Sequence, residues 1–185
     1  MQPRDHRDLF VLVGGWPASG KTTLARALSR ELGLAFLSKD EVKESLMDEL
    51  GVPSDLAMSR KLGAASVRAT LRAARGCPGA VIDSTWFSYA VPLVRGLPGY
   101  IVEVRCIVDI DTARSRYRSR QRHLGHLDRQ RSEDELWGRP VEPLGVGPVI
   151  DVDTSKPVDA ARTARAIAAA ARLQTGHPLW RESSP

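Results

Sequence analysis

Residues 15–22 read Gly15-Trp16-Pro17-Ala18-Ser19-Gly20-Lys21-Thr22, with Thr23 following. Two glycines at this spacing let the backbone turn tightly, so that successive N–H groups point into one concavity. A helix that starts at the lysine adds partial positive charge at the same spot. Lys21 is then placed to reach the β- and γ-phosphates of a nucleoside triphosphate, and the Thr22 hydroxyl to ligate Mg²⁺. Two carboxylates can join this loop. Asp40 follows the short run Ala35-Phe36-Leu37-Ser38 and can orient and deprotonate an acceptor hydroxyl approaching the γ-phosphate. Asp40 or Ser38 can equally cap the helix that follows, and Glu41 is a second candidate for the base. Asp83 closes the apolar run Ala80-Val81-Ile82; it can share the Mg²⁺ shell with Thr22, contact the acceptor, or serve as a turn carboxylate. Thr85 and Trp86 follow at the same edge, where a tryptophan can stack on a flat substrate or simply pack.

Arginines at 114, 116, 118, 120 and 122 alternate with other residues. On a helix Arg118 and Arg122 are one turn apart and share a face. A mobile lid carrying them, over residues 114–138, can neutralise charge on a transferred phosphoryl group and exclude water. Arg114, Arg116 and Arg120 read as a solvated basic face. His123, His126 and Asp128 are metal-ligand types, but Gly125 argues against a helix that would hold both histidines on one side. Lid contact with substrate or phosphate is expected there, not zinc.

The elements needed to position these groups are legible as alternating patterns. A strand over residues 9–13 leads into the glycine loop, and apolar spacing predicts a helix over 21–32. A strand over 35–38 and a helix over 40–50 follow. Ser54 is a candidate cap for a long helix to about residue 76, and residues 80–83 form a third strand. A short helix over 88–95, a strand over 100–108 and a helix capped by Asp111 come next, continuing as the arginine-rich helical segment. The last strand is expected at 149–152, with a closing helix beginning at Pro157. Five strands alternating with helices imply an α/β fold, a parallel sheet covered on both faces. Ligands then sit beyond the carboxyl ends of the strands, where the loop, Asp40 and Asp83 fall.

Composition narrows the class only a little. The chain has 185 residues with 42% hydrophobic content, which fits a single domain with a real core. A formal net charge of +5 suits anionic ligands without choosing among them. The cysteines, Cys77 and Cys106, show no C-x-x-C spacing and read as small hydrophobes in a reducing compartment. No apolar run reaches membrane-spanning length, so a cytoplasmic protein is expected.

These motifs together resemble the small P-loop kinases grouped with the zeta-toxin, polynucleotide 5′-kinase, gluconate kinase and chloramphenicol phosphotransferase families. Residues 15–23 are similar to their G-x-P-G-S-G-K-[ST]-[ST] loop, with Ala18 in place of a glycine. Ser38-Lys39-Asp40 matches the place of the polynucleotide kinase aspartate, so the resemblance gives Asp40 that role. Val81-Ile82-Asp83-Ser84-Thr85 resembles their strand ending D-x-T, although Trp86 stands where many relatives carry Asn. Asp109 through Arg118 and Arg122 resembles the strand-then-lid pattern R-x-x-x-R. Residues 152–157 are similar to the loop that in such kinases lies near the adenine. The resemblance implies a P-loop NTPase fold and an ATP- and Mg²⁺-dependent kinase acting on a hydroxylated small molecule, a metabolite or an antibiotic. A nucleic-acid 5′-hydroxyl kinase, a slow ATPase switch and a zeta-like toxin are the alternatives.

Overall fold

The structure is a computed structural model that describes residues 8–120, 123–127, 130–138 and 141–175. The central strand β1 (Asp8–Gly15) holds Phe10, Val11, Leu12 and Val13 at almost no exposure, because it is covered on both faces. Around it lie β2 (Ala35–Ser38), β3 (Ala80–Asp83), β4 (Gly99–Ile107) and β5 (Val149–Asp153). They form one five-stranded sheet in the order β2-β3-β1-β4-β5, and every pairing is parallel. The α/β expectation holds.

Strand alternation divides the core. Phe10, Leu12 and Ile82 face one side, where they pack with Val67 and Leu71 of α3 (Leu56–Ala74) and Val94 of α4 (Val91–Val94). Val11, Val13 and Val81 face the other, against Leu24 and Leu28 of α1 (Lys21–Leu32) and Ile167 of α7 (Ala160–Thr175). Such period-two splitting is what a two-sided sheet requires. A third, smaller cluster joins Val108, Ala113 and Trp137 with Trp16 and Tyr117. It ties α5 (Ile110–Ser119) and α6 (Glu133–Trp137) to the glycine loop through edge-on ring contacts, Trp16 to Trp137 at 6.2 Å and Tyr117 to Trp137 at 5.6 Å.

Several helix ends differ from the sequence expectation, and the hydrogen bonds say why. The Ser38 hydroxyl accepts from Glu41 N at 3.4 Å, so Ser38 is the cap of α2 (Lys39–Leu50) and Asp40 is released from that duty. Asp55, not Ser54, caps α3 by accepting from Met58 N at 2.8 Å. Asp109, not Asp111, caps α5 by accepting from Thr112 N at 2.8 Å. The closing helix α7 starts at Ala160 instead of Pro157, with Asp159 accepting from Arg162 N at 2.9 Å. The arginine-rich helix stops at Ser119, where Arg120 turns extended at φ −83° and ψ 142°. Among the described residues no helix is long and apolar enough to cross a membrane.

Candidate functional site

Sheet register assembles the site. Val13 of β1 and Ser38 of β2 both sit opposite Asp83 of β3, so the glycine loop, the start of α2 and the acidic strand end share one rim. This is the carboxyl edge of the sheet at the point where the chain order reverses around β1, the place where open α/β sheets bind ligands.

The loop is built by contortion. Gly15 has φ 143°, and a Cβ there would meet Ser19 Oγ at 2.7 Å and Cys106 O at 2.9 Å. Only glycine fits. Ala18 has φ 58°, a left-handed conformation that costs a residue with a Cβ about 1–2 kcal/mol. That strain gives a physical reason for the glycine of similar loops. The N-terminus of α1 has no side-chain cap, so its first N–H groups stay available to an anion. Pro17 and Trp16 hold the shoulder of the loop, and the Lys21 ammonium donates to Trp16 O at 3.1 Å. Burial lowers the Lys21 pKa, while nearby Asp83 and Asp40 pull it back up.

Asp83 is 4% exposed. The Thr22 hydroxyl donates to Asp83 Oδ2 at 2.6 Å, and Ser38 Oγ lies 3.5 Å from the same oxygen. Burial pushes its carboxyl above the ordinary range, with Lys21 and the Thr22 hydrogen bond opposing. Oδ1 of Asp83 and Oγ of Ser19 are buried with no hydrogen-bond partner among the described residues. A hydroxyl, a buried carboxylate with one oxygen to spare and a bare helix N-terminus suit a phosphate-bound divalent cation. Asp40 lies further out, half-buried, its Oδ1 held 2.6 Å from the Lys39 ammonium.

Two cavities meet here. One of about 510 Å³ runs along Ala18, Gly20, Thr22 and Thr23 to Arg116 and the 154–158 loop. The other, of about 940 Å³, takes in Pro17, Asp40, Thr85, Trp86, α3 and residues 141–144. Lys21 and Arg120 line both. Arg116 fastens the rim of the smaller cavity by donating to Thr154 O at 3.0 Å. Buried Glu103 fastens the larger one, accepting from Leu144 N at 2.6 Å and Val146 N at 2.8 Å.

Of the two arginines expected over the loop, the structure places Arg118 apart from it. Arg118 is exposed and faces a separate hollow with Asp111 and Arg114, away from both cavities. Arg122 lies outside the described residues, as do Asp128 and Arg129. Among the described residues the arginines beside the loop are Arg116 and Arg120, for which a solvated face is expected from the sequence. Their i, i+4 spacing equals that of Arg118 and Arg122; Arg116 lies on α5, and Arg120 reaches the loop where the chain leaves the helix extended. Trp86 is 6% exposed, with its Nε1 donating to Val13 O at 3.2 Å, and is largely core. His126 and His123 pair with carboxylates of α2, Nε2 of His126 lying 2.7 Å from Glu44 and Nε2 of His123 lying 3.1 Å from Asp48.

Comparison with known proteins agrees with this geometry. Residues 10–136 match the family described as AAA domain. A protein of Mycobacterium tuberculosis without an assigned function is 33% identical over 122 residues, 58% of this chain and 24% of that protein. The match therefore spans about a quarter of the length of the curated relatives. The structure of a candidate kinase from Chloroflexus aurantiacus is 29% identical with a TM-score of 0.77, covering 90% of this chain and 99% of that one. A gluconokinase from Sinorhizobium meliloti shares the fold at 20% identity and a TM-score of 0.56, covering 94% of this chain and 100% of that one. With its glycine loop, its parallel strand order and a family match over most of its length, the chain belongs to the AAA domain family and has the fold of the small P-loop kinases.

Proposed function

We propose that the protein is an ATP-dependent kinase that transfers the γ-phosphate of MgATP to a hydroxyl of a small-molecule acceptor. The observation that carries this reading is the meeting of two ligand-sized cavities at Lys21 and Arg120. The smaller begins at the phosphate loop and ends at the 154–158 loop, matching a triphosphate with its nucleoside. The larger opens toward Asp40 and encloses enough volume for a metabolite or an antibiotic.

In this reading residues 15–23 hold the phosphates through backbone N–H groups, with Lys21 at the β- and γ-positions. Thr22 and Asp83 would hold Mg²⁺, which when bound neutralises charge on the phosphate oxygens. Asp40 receives the proton of the acceptor hydroxyl as its oxygen forms a bond to the γ-phosphorus. The bond from that phosphorus to the β,γ-bridging oxygen breaks, and its electron pair leaves with ADP. Arg120 stabilises the charge spread over the phosphoryl oxygens. Catalysis is positioning plus electrostatics, with no covalent protein intermediate. Thr85 and Trp86 belong to the acceptor wall. A nucleic-acid acceptor draws less support, since Trp86, its candidate stacking platform, is 6% exposed.

The test follows γ-labelled ATP with Mg²⁺, offering pools of small hydroxylated molecules and of 5′-hydroxyl oligonucleotides to wild type and Asp40→Ala. Transfer to a small molecule, reduced about 10²- to 10⁴-fold by Asp40→Ala, is expected of a lost general base. Label released only as phosphate, at equal rates in both proteins, would replace the kinase with a slow ATPase.

A further inference from the structure

Lys21 and Arg120 are two positive charges that the fold brings together before any phosphate arrives. Both line the two cavities where these meet. They act on each other there: burial lowers the Lys21 pKa, Asp83 and Asp40 raise it, and the Arg120 charge adds to the lowering. Like charges held close repel, and a long arginine side chain loses rotamer freedom when it is fixed. The helix gives Arg120 little support, since α5 ends at Ser119 and Arg120 is already extended.

A row of three aromatic rings supplies the support. The Arg120 guanidinium carbon lies over the Tyr117 ring, 4.7 Å from its centre. Tyr117 meets Trp137 edge-on at 5.6 Å with planes 85° apart, and Trp137 meets Trp16 at 6.2 Å and 80°. Trp137 cannot swing away. It is 6% exposed, and the Arg114 guanidinium, ion-paired with Glu133 at 3.1 Å, lies 5.9 Å from its centre. The row ends in the glycine loop itself, where Trp16 O accepts from the Lys21 ammonium at 3.1 Å and from Ser19 N at 3.2 Å. One end of the row therefore touches Arg120, and the other belongs to the residue whose carbonyl holds Lys21. A ring face attracts a guanidinium, more strongly as water is excluded, and edge-on partners fix the plane of that ring.

We propose that Tyr117 is a positioning residue: its ring, braced by Trp137 and Trp16, holds Arg120 beside Lys21 so that both meet the γ-phosphate already aligned. This rests on the kinase reading above, and only on its nucleotide half. Tyr117 acts through Arg120, taking no proton and forming no bond. It also borders the larger cavity, so direct contact with an acceptor is the rival role, and the experiment is run without one.

The full chain with Mg²⁺ is titrated calorimetrically with ADP and with AMPPNP, and single-turnover hydrolysis of γ-labelled ATP is followed in parallel. The variants are Tyr117→Leu, Tyr117→Phe, Arg120→Ala and the double change Tyr117→Leu with Arg120→Ala, and a thermal melt confirms that each is folded. Tyr117→Leu is expected to weaken AMPPNP binding and slow hydrolysis by about fivefold, the scale of a cation–π contact, while ADP binding stays within about twofold. Tyr117→Phe keeps the ring and should keep both properties within about twofold. In the Arg120→Ala background Tyr117→Leu should add less than about twofold, because residues that act as a unit are not additive. Losses that multiply, a Tyr117→Phe variant as impaired as Tyr117→Leu, or equal weakening of ADP and AMPPNP would overturn the inference. So would a Tyr117→Leu variant that behaves as wild type. Ring-dependent AMPPNP binding with no acceptor ever labelled would uphold the positioning role and bring down the kinase reading. Transfer to a small molecule at the wild-type rate by Tyr117→Leu would do the reverse.

Discussion

On one side of Lys21 the smaller cavity draws much of its wall from residues 18–27, one continuous stretch of loop and helix. On the other side the larger cavity is assembled from α2, α3, the segment after β3, the arginine-rich segment and residues 141–144. The first is shaped by backbone: a glycine that nothing larger can replace, an alanine in a left-handed turn and a helix N-terminus. The second is shaped by side chains reaching across elements, such as Lys43 to Ser59, His126 to Glu44 and Glu103 to the backbone of residues 144 and 146. A backbone cradle recognises what all nucleoside triphosphates share. A side-chain cavity can be rebuilt by a few substitutions without disturbing the sheet, so in the proposed kinase acceptor choice would reside there.

Breaking the shared point should have the largest effect. Lys21→Ala removes a cation from both cavities, and phosphoryl transfer is expected to fall at least about 10²- to 10³-fold, the range seen when one charge-stabilising donor is removed. Single-turnover kinetics with labelled ATP would measure it. Next, Arg120→Ala should lower kcat by about tenfold or more, while Arg118→Ala changes it less than about threefold, because only Arg120 borders the cavities. Equal losses in the two variants would mean that Arg118 also reaches the transferred phosphoryl group during turnover.

The cradle side can be sharpened by a stability measurement. Burial disfavours the charged form of Asp83 and raises its pKa, so in EDTA an ionised carboxylate there would burden the folded state. Asp83→Asn is expected to raise the melting temperature by about 2–4 °C, on the order of 1 kcal/mol, while abolishing Mg²⁺-dependent nucleotide binding. A lower melting temperature would show that its bonds to Thr22 and Ser38 outweigh its desolvation. The smallest effect concerns the thiols. Burial pushes Cys106 up to about 12, and its place under the loop keeps reagents out, whereas Cys77 is partly exposed. One thiol per chain should alkylate at pH 8 in the folded protein and the second only in denaturant.

Much of this could be read before folding was considered. The run from Gly15 to Thr23 carries its meaning locally, because a phosphate cradle is made by consecutive peptide groups. Strand β3 and helix α1 fall where apolar runs and helical spacing place them, and the acidic ends of two strands mark the rim. The caps were less legible. Asp109 and Asp111, or Ser54 and Asp55, are equally good capping residues two or one positions apart, and the choice depends on where the preceding segment releases the chain.

The arginines show the boundary most sharply. Residues 114–122 declare a basic helix by composition and period, but Arg118 and Arg120 are indistinguishable by type or spacing. Which of them meets the phosphate loop depends on where α5 ends and the chain turns extended at Arg120, beside the packing of Trp16 on Trp137, residues more than a hundred positions apart. Local order encodes the nucleotide cradle, since adjacent atoms build it. The larger cavity exists only after distant segments converge, and its size and its lining are properties of that convergence.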